Sequence, residues 1–257
     1  MEIKKLVIKT GTTCSLRCEK CGEFNPYLED AGKSFILSAE TLSKDVFRVL
    51  SAVDKIETVH IAGGEPFLRN DLFQLVAFLY CSPKIENIEI VTNGTVIPDE
   101  IVLSTLRWVG KKTMILVSDY STAGIDNDKF LKLLDEASIR YRLLKDMVWK
   151  DKSDMTYKNV CEAGLLEIAE KCTTFRQNYF TLINGIITPH CPTSGSVLHY
   201  MSLHEKAETF FVNVRDCNDG ELKSALLKLN DNKFTPMCNW CVPTYKAPDC
   251  LAGAQIK

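Results

Sequence analysis

The chain has no apolar run near the ~18 to 20 residues that span a bilayer. It begins Met1-Glu2-Ile3-Lys4-Lys5 and has no apolar signal-peptide core. Neither sign of charge dominates: the formal net charge of the 257 residues is -2, which gives no general reason to expect binding of nucleic acid, whose partners usually carry a basic face. Low-complexity stretches and repeats of fixed period are absent, which excludes solenoids. We therefore expect a soluble cytoplasmic protein that binds neither membrane nor nucleic acid.

Cysteine, in contrast, is abundant, with eleven residues. An odd number without an export signal favours reduced thiols and metal binding over a disulfide framework. Three of these thiols, Cys14, Cys18 and Cys21, follow an apolar strand predicted at residues 3–9. An iron–sulfur cube normally has four thiolate ligands, so three nearby cysteines leave one iron open to a small molecule. Structural zinc is the alternative, although zinc prefers four closed ligands.

The C-x3-C-x2-C spacing resembles the signature of the radical S-adenosylmethionine (SAM) superfamily. Two further segments agree: Gly63-Gly64-Glu65-Pro66 resembles the family's GGEP motif, and Thr92-Asn93-Gly94 its TNG motif. The resemblance implies a [4Fe–4S] cluster on the three cysteines, with SAM on the open iron. It also implies reductive cleavage of SAM to a 5'-deoxyadenosyl radical that removes a hydrogen atom from a substrate. Lys20 departs from the family, which commonly has an aromatic residue there beside the adenine.

Strand and helix patterns alternate over the first 150 residues. Hydrophobic periodicity predicts strands at 3–9, 57–62, 87–92, 112–118 and 138–144, and helices at 39–53, 71–80, 98–109 and 126–137. Such alternation implies an α/β fold with a parallel sheet and right-handed crossovers. The superfamily resemblance implies a partial (β/α)6 TIM-like barrel, for which we expect residues 1–155. Cys81, at a helix end, is expected to be a buried small hydrophobe.

The motifs lie where ligands bind in parallel α/β folds, at the carboxyl ends of the strands. Gly63 and Gly64 lack a Cβ and let backbone approach a ligand closely. Glu65 is placed to accept hydrogen bonds from the methionyl ammonium of SAM. Asn93 and Ser118 are expected, by position, to contact the ribose or carboxylate of SAM. A turn residue and a strand-end cap are the structural alternatives for these two.

Residues 156–257 are expected to form a second, smaller domain. An apolar stretch at 179–189, interrupted by Asn184-Gly185, predicts a β-hairpin. One cysteine precedes the hairpin, one follows it, and a CxxC pair comes later; the four are Cys172, Cys191, Cys238 and Cys241. This layout resembles the twitch domain, a shortened SPASM extension, and implies an auxiliary [4Fe–4S] cluster on these cysteines. Structural zinc is the alternative. Cys161, Cys217 and Cys250 are spare ligand candidates.

These features together predict an oxidoreductase or epimerase. A fully ligated auxiliary cluster has no substrate site and is suited to taking or relaying one electron. In architecture the chain resembles 2-deoxy-scyllo-inosamine dehydrogenases, which implies oxidation or epimerisation at a carbinol carbon of a sugar, cyclitol or related metabolite. Cys250 is the candidate hydrogen donor for an epimerase. Radical modification of a ribosomally made peptide and activation of a glycyl-radical enzyme are the alternatives. A flavodoxin- or ferredoxin-type reductant is the expected partner.

Overall fold

The computed structural model describes residues 1–145, 147–173, 175, 178–189, 191–202 and 210–256. Its strands are β1 Glu2–Lys9, β2 Lys55–Ala62, β3 Ile85–Thr92, β4 Thr113–Ser118, β5 Tyr141–Leu144, β6 Val148–Lys150, β7 Tyr179–Ile183, β8 Ile186–Pro189, β9 Val212–Asn213 and β10 Asp249–Leu251. Its helices are α1 Asn25–Asp30, α2 Ala39–Ala52, α3 Leu72–Cys81, α4 Glu100–Val109, α5 Asp128–Glu136, α6 Glu162–Lys171, α7 Pro192–Tyr200 and α8 Asp219–Asp231.

A single sheet organises the fold. Its strand order is β5-β4-β3-β2-β1-β7-β8-β9, and the six strands from β5 to β7 are mutually parallel. The last two pairings, β7 with β8 and β8 with β9, are antiparallel. Helices α2 to α5 connect successive parallel strands, as the alternation predicted. The α/β class and the partial TIM-like barrel are therefore confirmed.

The two faces of the sheet differ in chemistry. One face carries aliphatic side chains, such as Leu6, Val59 and Ile88, that pack with helices α2 to α5 and α8 into the main hydrophobic core. On β1, β2 and β3 the side chains that alternate with these include Lys5, His60 and Glu89, which are about one-fifth exposed. Because side chains alternate along a strand, the helices cover the apolar face and leave a polar face inside the barrel.

The element ends agree with the capping chemistry. The Ser38 hydroxyl accepts a hydrogen bond from Thr41 N at 3.1 Å and begins α2, as predicted. Asp99 caps α4 through Val102 N at 2.9 Å, so that helix begins two residues later than predicted.

Cys81 is exposed at the end of α3, so its prediction as a buried hydrophobe is wrong. Among the described residues, no helix is long and apolar enough to cross a membrane.

The predicted hairpin forms, and it adds to the barrel sheet. Asn184 and Gly185, with φ of 46° and 77°, make the two-residue turn between β7 and β8. Strand β7 then pairs with β1 in parallel, on the side of β1 opposite β2. The hairpin thus shares a sheet with the N-terminal strands. The division at residue 155 stays a prediction.

Candidate functional site

The three N-terminal cysteines line one cavity at the carboxyl end of the parallel strands. Cys14, Cys18 and Cys21 lie in the loop that connects β1 to α1. The cavity has a volume of about 380 Å³, within the usual range for a small-molecule site. The SAM-contact candidates named from sequence share its wall: Gly63, Gly64, Glu65, Asn93 and Ser118. The structure therefore brings all three motifs together with the strand-four residue.

The two glycines after β2 allow contact between two backbone segments. Gly64 N donates to Gly11 O at 2.8 Å, and Glu65 N donates to Thr13 O at 2.9 Å. A Cβ on Gly64 would lie 1.8 Å from Thr13 O, closer than any real contact. Gly63 has φ of 120°, where a side chain is strained. These glycines are needed to bring the cysteine loop against the end of β2, in addition to the close approach to a ligand that was predicted for them.

Glu65 ties the ends of β2 and β3 together. Its buried carboxylate accepts hydrogen bonds from Thr92 Oγ1 at 2.8 Å, Asn93 N at 2.9 Å and Phe67 N at 3.1 Å. Burial raises the pKa of Glu65, and these hydrogen bonds oppose that shift. A carboxylate has about four lone-pair sites, so three protein donors leave capacity for one more.

Asn93 holds the cysteine loop against β3. Its Nδ2 lies 3.0 Å from Ser15 Oγ and 3.6 Å from Cys14 Sγ. Its Oδ1 accepts from the backbone N and the hydroxyl of Thr95, at 2.9 and 2.7 Å. The asparagine thus positions Cys14, which sequence reasoning had not foreseen.

Burial dominates the titration of the three thiols. It raises the pKa of Cys21 to about 12, and it also raises the pKa values of Cys14 and Cys18. Hydrogen bonds from Asn93 to Cys14 and from Gln255 to Cys18 oppose the shift. Metal coordination requires thiolates, whose negative charge burial makes costly, so a bound cation would offset that cost with its positive charge.

Polar and aromatic side chains complete the wall of this cavity. Ser118 is buried beside Tyr120, whose pKa burial raises strongly. Tyr120 packs edge-on against Trp149, with ring centroids 5.4 Å apart. Lys20 forms an ion pair with Asp151 at 3.2 Å. Its ammonium is therefore engaged at the cavity wall, at the position where the family commonly has an aromatic ring.

A polar cluster lies on the inner face of the barrel. Glu89 Oε2 contacts His60 Nδ1 at 2.9 Å and accepts from Lys5 Nζ at 2.8 Å. The contact with His60 is the largest cause that lowers the pKa of Glu89, to about 2. His60 also lines the cavity. An ionised Glu89 requires a proton on His60 Nδ1, which fixes the ring tautomer if the histidine is neutral. Its members are far apart in the chain, so no local sequence pattern predicts this cluster.

Residues 249–256, which we call the closing segment, complete the site. Its strand β10 pairs with β6 in antiparallel fashion, with Cys250 opposite Trp149. Beyond β10, Gly253 packs on Tyr120, since a Cβ there would lie 2.6 Å from the ring. The segment then forms an antiparallel bridge between Gln255 and Cys18. No local sequence signal predicts this contact, which joins residues 237 positions apart.

The four C-terminal cysteines assigned to an auxiliary cluster line a second, small cavity of about 20 Å³. Three elements bring them together. Cys172 ends α6, Cys191 precedes α7, and Cys238 lies in the 3-10 helix Pro236–Trp240, which Cys241 caps. Ile168 and Phe175 are among the apolar residues that line the same cavity. The wall is thus rich in thiols and otherwise largely apolar.

Burial and neighbouring thiols control the titration of this second set. Burial is the largest cause that raises the pKa of Cys241 to about 12, followed by the charge of Cys191. The pKa of Cys238 is raised strongly for the same reasons. Among the described residues, no group of three or more His, Cys, Asp or Glu side chains is placed to hold a single metal ion. The thiolates of a [4Fe–4S] cluster bind different irons, so their ligand positions are spread over a larger group.

The spare cysteines lie elsewhere. Cys161 is exposed at the start of α6, and Cys217 packs against the main core. Cys250 is half-buried in β10 and is not among the described residues that line the larger cavity. Its role as a hydrogen donor stays a prediction.

The two cavities are neighbours. Lys152 lines both of them. Thr244 lines the larger cavity, and its hydroxyl lies 3.6 Å from Cys172 Sγ. The two cysteine-lined cavities are therefore adjacent at Lys152 and Thr244.

Comparisons with known proteins give partial sequence matches. No protein-family model matches the chain. The GTP 3',8-cyclase of Listeria welshimeri is 39% identical over 90 residues, which are 34% of this chain and 25% of that protein. The GTP 3',8-cyclase of Clostridium perfringens is 31% identical over 103 residues, 39% of this chain and 30% of that protein. These matches span less than a third of the relatives' length.

A solved structure matches far more of the chain. The structure of BtrN in complex with AdoMet and 2-DOIA matches with a TM-score of 0.55 at 15% identity. The match covers 93% of this chain and 92% of BtrN. The resemblance to the radical SAM superfamily is confirmed. At this level of identity the likeness to BtrN shows a shared fold.

Proposed function

We propose that this chain is a radical SAM enzyme that acts at a carbinol carbon of a sugar, cyclitol or related metabolite. The observation that carries the proposal is the shared cavity: Cys14, Cys18 and Cys21 line one space of about 380 Å³ together with the Gly63-Gly64-Glu65 segment and Asn93. When bound there, a [4Fe–4S] cluster with SAM on its open iron would supply the deoxyadenosyl radical that abstracts substrate hydrogen.

The chain's own residues would bind and orient these groups. Cys14, Cys18 and Cys21 are the proposed ligands of the first cluster. The unfilled acceptor capacity of Glu65 suits an ammonium group such as that of SAM. Ser118 adds a buried hydroxyl to the wall. Asn93 holds the loop that carries Cys14, so its proposed contact with SAM is joined by a positioning role.

An auxiliary [4Fe–4S] cluster on the four C-terminal cysteines completes the proposal. The convergence of Cys172, Cys191, Cys238 and Cys241 on one cavity supports it. Lys152 lines both cavities, and Thr244 of the larger cavity contacts Cys172; this proximity supports electron transfer between a substrate and this cluster. After the carbinol hydrogen atom has been removed, transfer of one electron to this cluster and of the hydroxyl proton to a base would give a ketone. A flavodoxin- or ferredoxin-type protein would be the reductant of the first cluster.

The substrate class rests on the BtrN likeness. BtrN was solved with AdoMet and 2-DOIA, and this chain matches it over nearly its full length. The GTP 3',8-cyclases match over a shorter region. A cyclitol or sugar is therefore the first substrate class to test.

Two measurements test the proposal in order. After anaerobic reconstitution we expect about eight irons per chain, and about four in the double variant Cys238→Ser/Cys241→Ser. Cys81→Ser, at an exposed thiol outside both cavities, is the matched control and should keep all the iron. With dithionite and SAM, the protein should release 5'-deoxyadenosine. Protein that takes up no iron, or that never forms deoxyadenosine, would contradict the proposal.

Isotope transfer tests the substrate. Candidate cyclitols, sugars and peptides carrying deuterium on carbon are incubated with reduced enzyme and SAM. We expect deuterium in 5'-deoxyadenosine from a cyclitol or sugar labelled at its carbinol carbons, because the radical removes that hydrogen. Transfer from a labelled peptide alone would replace the metabolite hypothesis with peptide modification.

A further inference from the structure

The closing segment, residues 249–256, makes direct contact with the cysteine loop. Glu19 N donates to Ala254 O at 2.7 Å, and Ile256 N donates to Arg17 O at 2.9 Å. These bonds flank Cys18 on both sides. Cys18 itself is buried, with 7% of its surface exposed. The segment is therefore part of the wall around one proposed cluster ligand.

Gln255 reaches the sulfur of that ligand. Its Nε2 lies 3.3 Å from Cys18 Sγ and also donates to Gly253 O at 2.6 Å. Its Oε1 accepts from Arg17 N at 2.8 Å. These partners fix the orientation of the amide, because a flipped group would set oxygen against Gly253 O and nitrogen against the Arg17 N–H. An N–H donor therefore points at the sulfur.

We propose that Gln255 is a positioning residue that raises the reduction potential of the cluster held by Cys14, Cys18 and Cys21. The inference rests on the proposed function, since it concerns that cluster. Reduction adds negative charge to the cluster and its sulfur ligands. A hydrogen bond to a ligand sulfur stabilises the more negative state, and such bonds are an established control on cluster potentials. The closing segment thus carries a residue from the far end of the described chain to the first cluster.

The test is a redox titration of the reconstituted 257-residue chain, in which electron paramagnetic resonance monitors the reduced clusters. The signal that changes on addition of SAM belongs to the cluster with an open iron, which separates it from the auxiliary cluster. Gln255→Leu removes the donor. Gln255→Glu keeps the size and the acceptor for Arg17 N, but sets a carboxylate oxygen against the sulfur. Gln74→Leu, at an exposed position of α3, is the matched control.

We expect the midpoint potential to fall in Gln255→Leu, to fall further in Gln255→Glu, and to stay at the wild-type value in Gln74→Leu. Wild-type potentials in both Gln255 variants would overturn the proposal. Loss of iron from both variants, with an unchanged circular dichroism spectrum, would also overturn it, because Gln255 would then be needed to build the site. Failure of the wild-type protein itself to hold a cluster is a different result, which contradicts the proposed function.

Discussion

The contacts of a few individual residues fix the geometry of the cysteine loop. Gly64 is in contact with the backbone of that loop. Glu65 accepts three hydrogen bonds that hold the ends of β2 and β3 together. Asn93 reaches across to Cys14 and Ser15. Each of these residues belongs to a motif and also supports the loop. A substitution in a motif would therefore change iron binding even where it leaves every proposed metal ligand in place.

Gly64→Ala tests this reading of the glycine. The new Cβ would meet Thr13 O at 1.8 Å, so the backbone of the cysteine loop must move. We expect a loss of roughly 3 kcal/mol in the free energy of unfolding, as for severe overpacking, and a much lower iron content after reconstitution. Gly22→Ala is the control, because a Cβ at Gly22 has no neighbour within 4 Å. Equal iron contents in the two variants would contradict the prediction.

The ion pair of Glu89 predicts how the free energy of unfolding changes with pH. Its contacts with His60 and Lys5 lower its pKa from 4.5 to about 2 in the folded protein. A carboxylate whose pKa is lower in the folded state contributes its full stabilisation at any pH above its pKa in the unfolded state. This contribution is lost as the pH falls through its pKa in the folded state. Glu89→Gln should therefore cost about 3 kcal/mol at pH 7, with a difference that narrows between pH 4.5 and pH 2. Urea unfolding of metal-free protein measures it; a cost independent of pH would contradict the ionic origin.

At the scale of elements, the hairpin connects the C-terminal residues to the barrel. Strand β7 pairs with β1, and the next helix, α7, begins just after Cys191. The loop after β9 is tied to α2, because the guanidinium of Arg215 binds both oxygens of buried Asp45 at 2.8 and 2.7 Å. A bidentate pair of this kind fixes orientation as well as distance.

Gly185→Ala tests the coupling between the hairpin turn and that ion pair. Gly185 has φ of 77°, and a Cβ there would lie 2.7 Å from Arg215 Nε. Gly32→Ala is the matched control, because Gly32 has φ of 66° but open space around it. We expect about 1 kcal/mol of destabilisation in the control, from backbone strain alone. Gly185→Ala should lose roughly 1 kcal/mol more, from the weakened hydrogen bonds of Arg215. Equal losses in urea unfolding would show that the ion pair tolerates the new atom.

For the whole molecule, the decisive feature is that one sheet connects both cysteine sets, although Cys172 and Cys238 pack in a smaller hydrophobic cluster of their own. The first set follows β1, and the second is attached through β7, the other neighbour of that strand. The closing segment adds a further connection, since it pairs with β6 and bridges to Cys18. Loading of the cysteine sites should consequently stabilise the whole fold.

Thermal unfolding tests this coupling. A group that binds only the native state raises its stability, so reconstituted protein should melt above metal-free protein. For a chain of this length, 1 kcal/mol corresponds to a rise of ~2–4 °C. Cys81→Ser should keep the full rise, because Cys81 is exposed on α3. The double variant Cys238→Ser/Cys241→Ser should keep only part of it. Identical melting of loaded and metal-free protein would contradict this coupling.

Much of the architecture is encoded locally. Hydrophobic periodicity predicted the five strands β1 to β5 and the helices α2 to α5 to within a few residues, since each element needs its own apolar face. The short helix α1 was not predicted. Ser38 and the Asn184-Gly185 turn are also local signals, and the structure contains both. The short spacing of Cys14, Cys18 and Cys21 places them in one loop independently of the tertiary structure.

Long-range contacts were decided only by the tertiary structure. Periodicity does not say which strand pairs with which, so the place of β7 beside β1 could not be predicted. The same applies to the His60, Lys5 and Glu89 cluster, and to the contact of Gln255 with Cys18. The amino-acid sequence determined the elements and the chemistry at their ends, because capping, turns and periodicity act over a few residues. Folding decided which ends meet, because those contacts depend on the packing of the whole sheet.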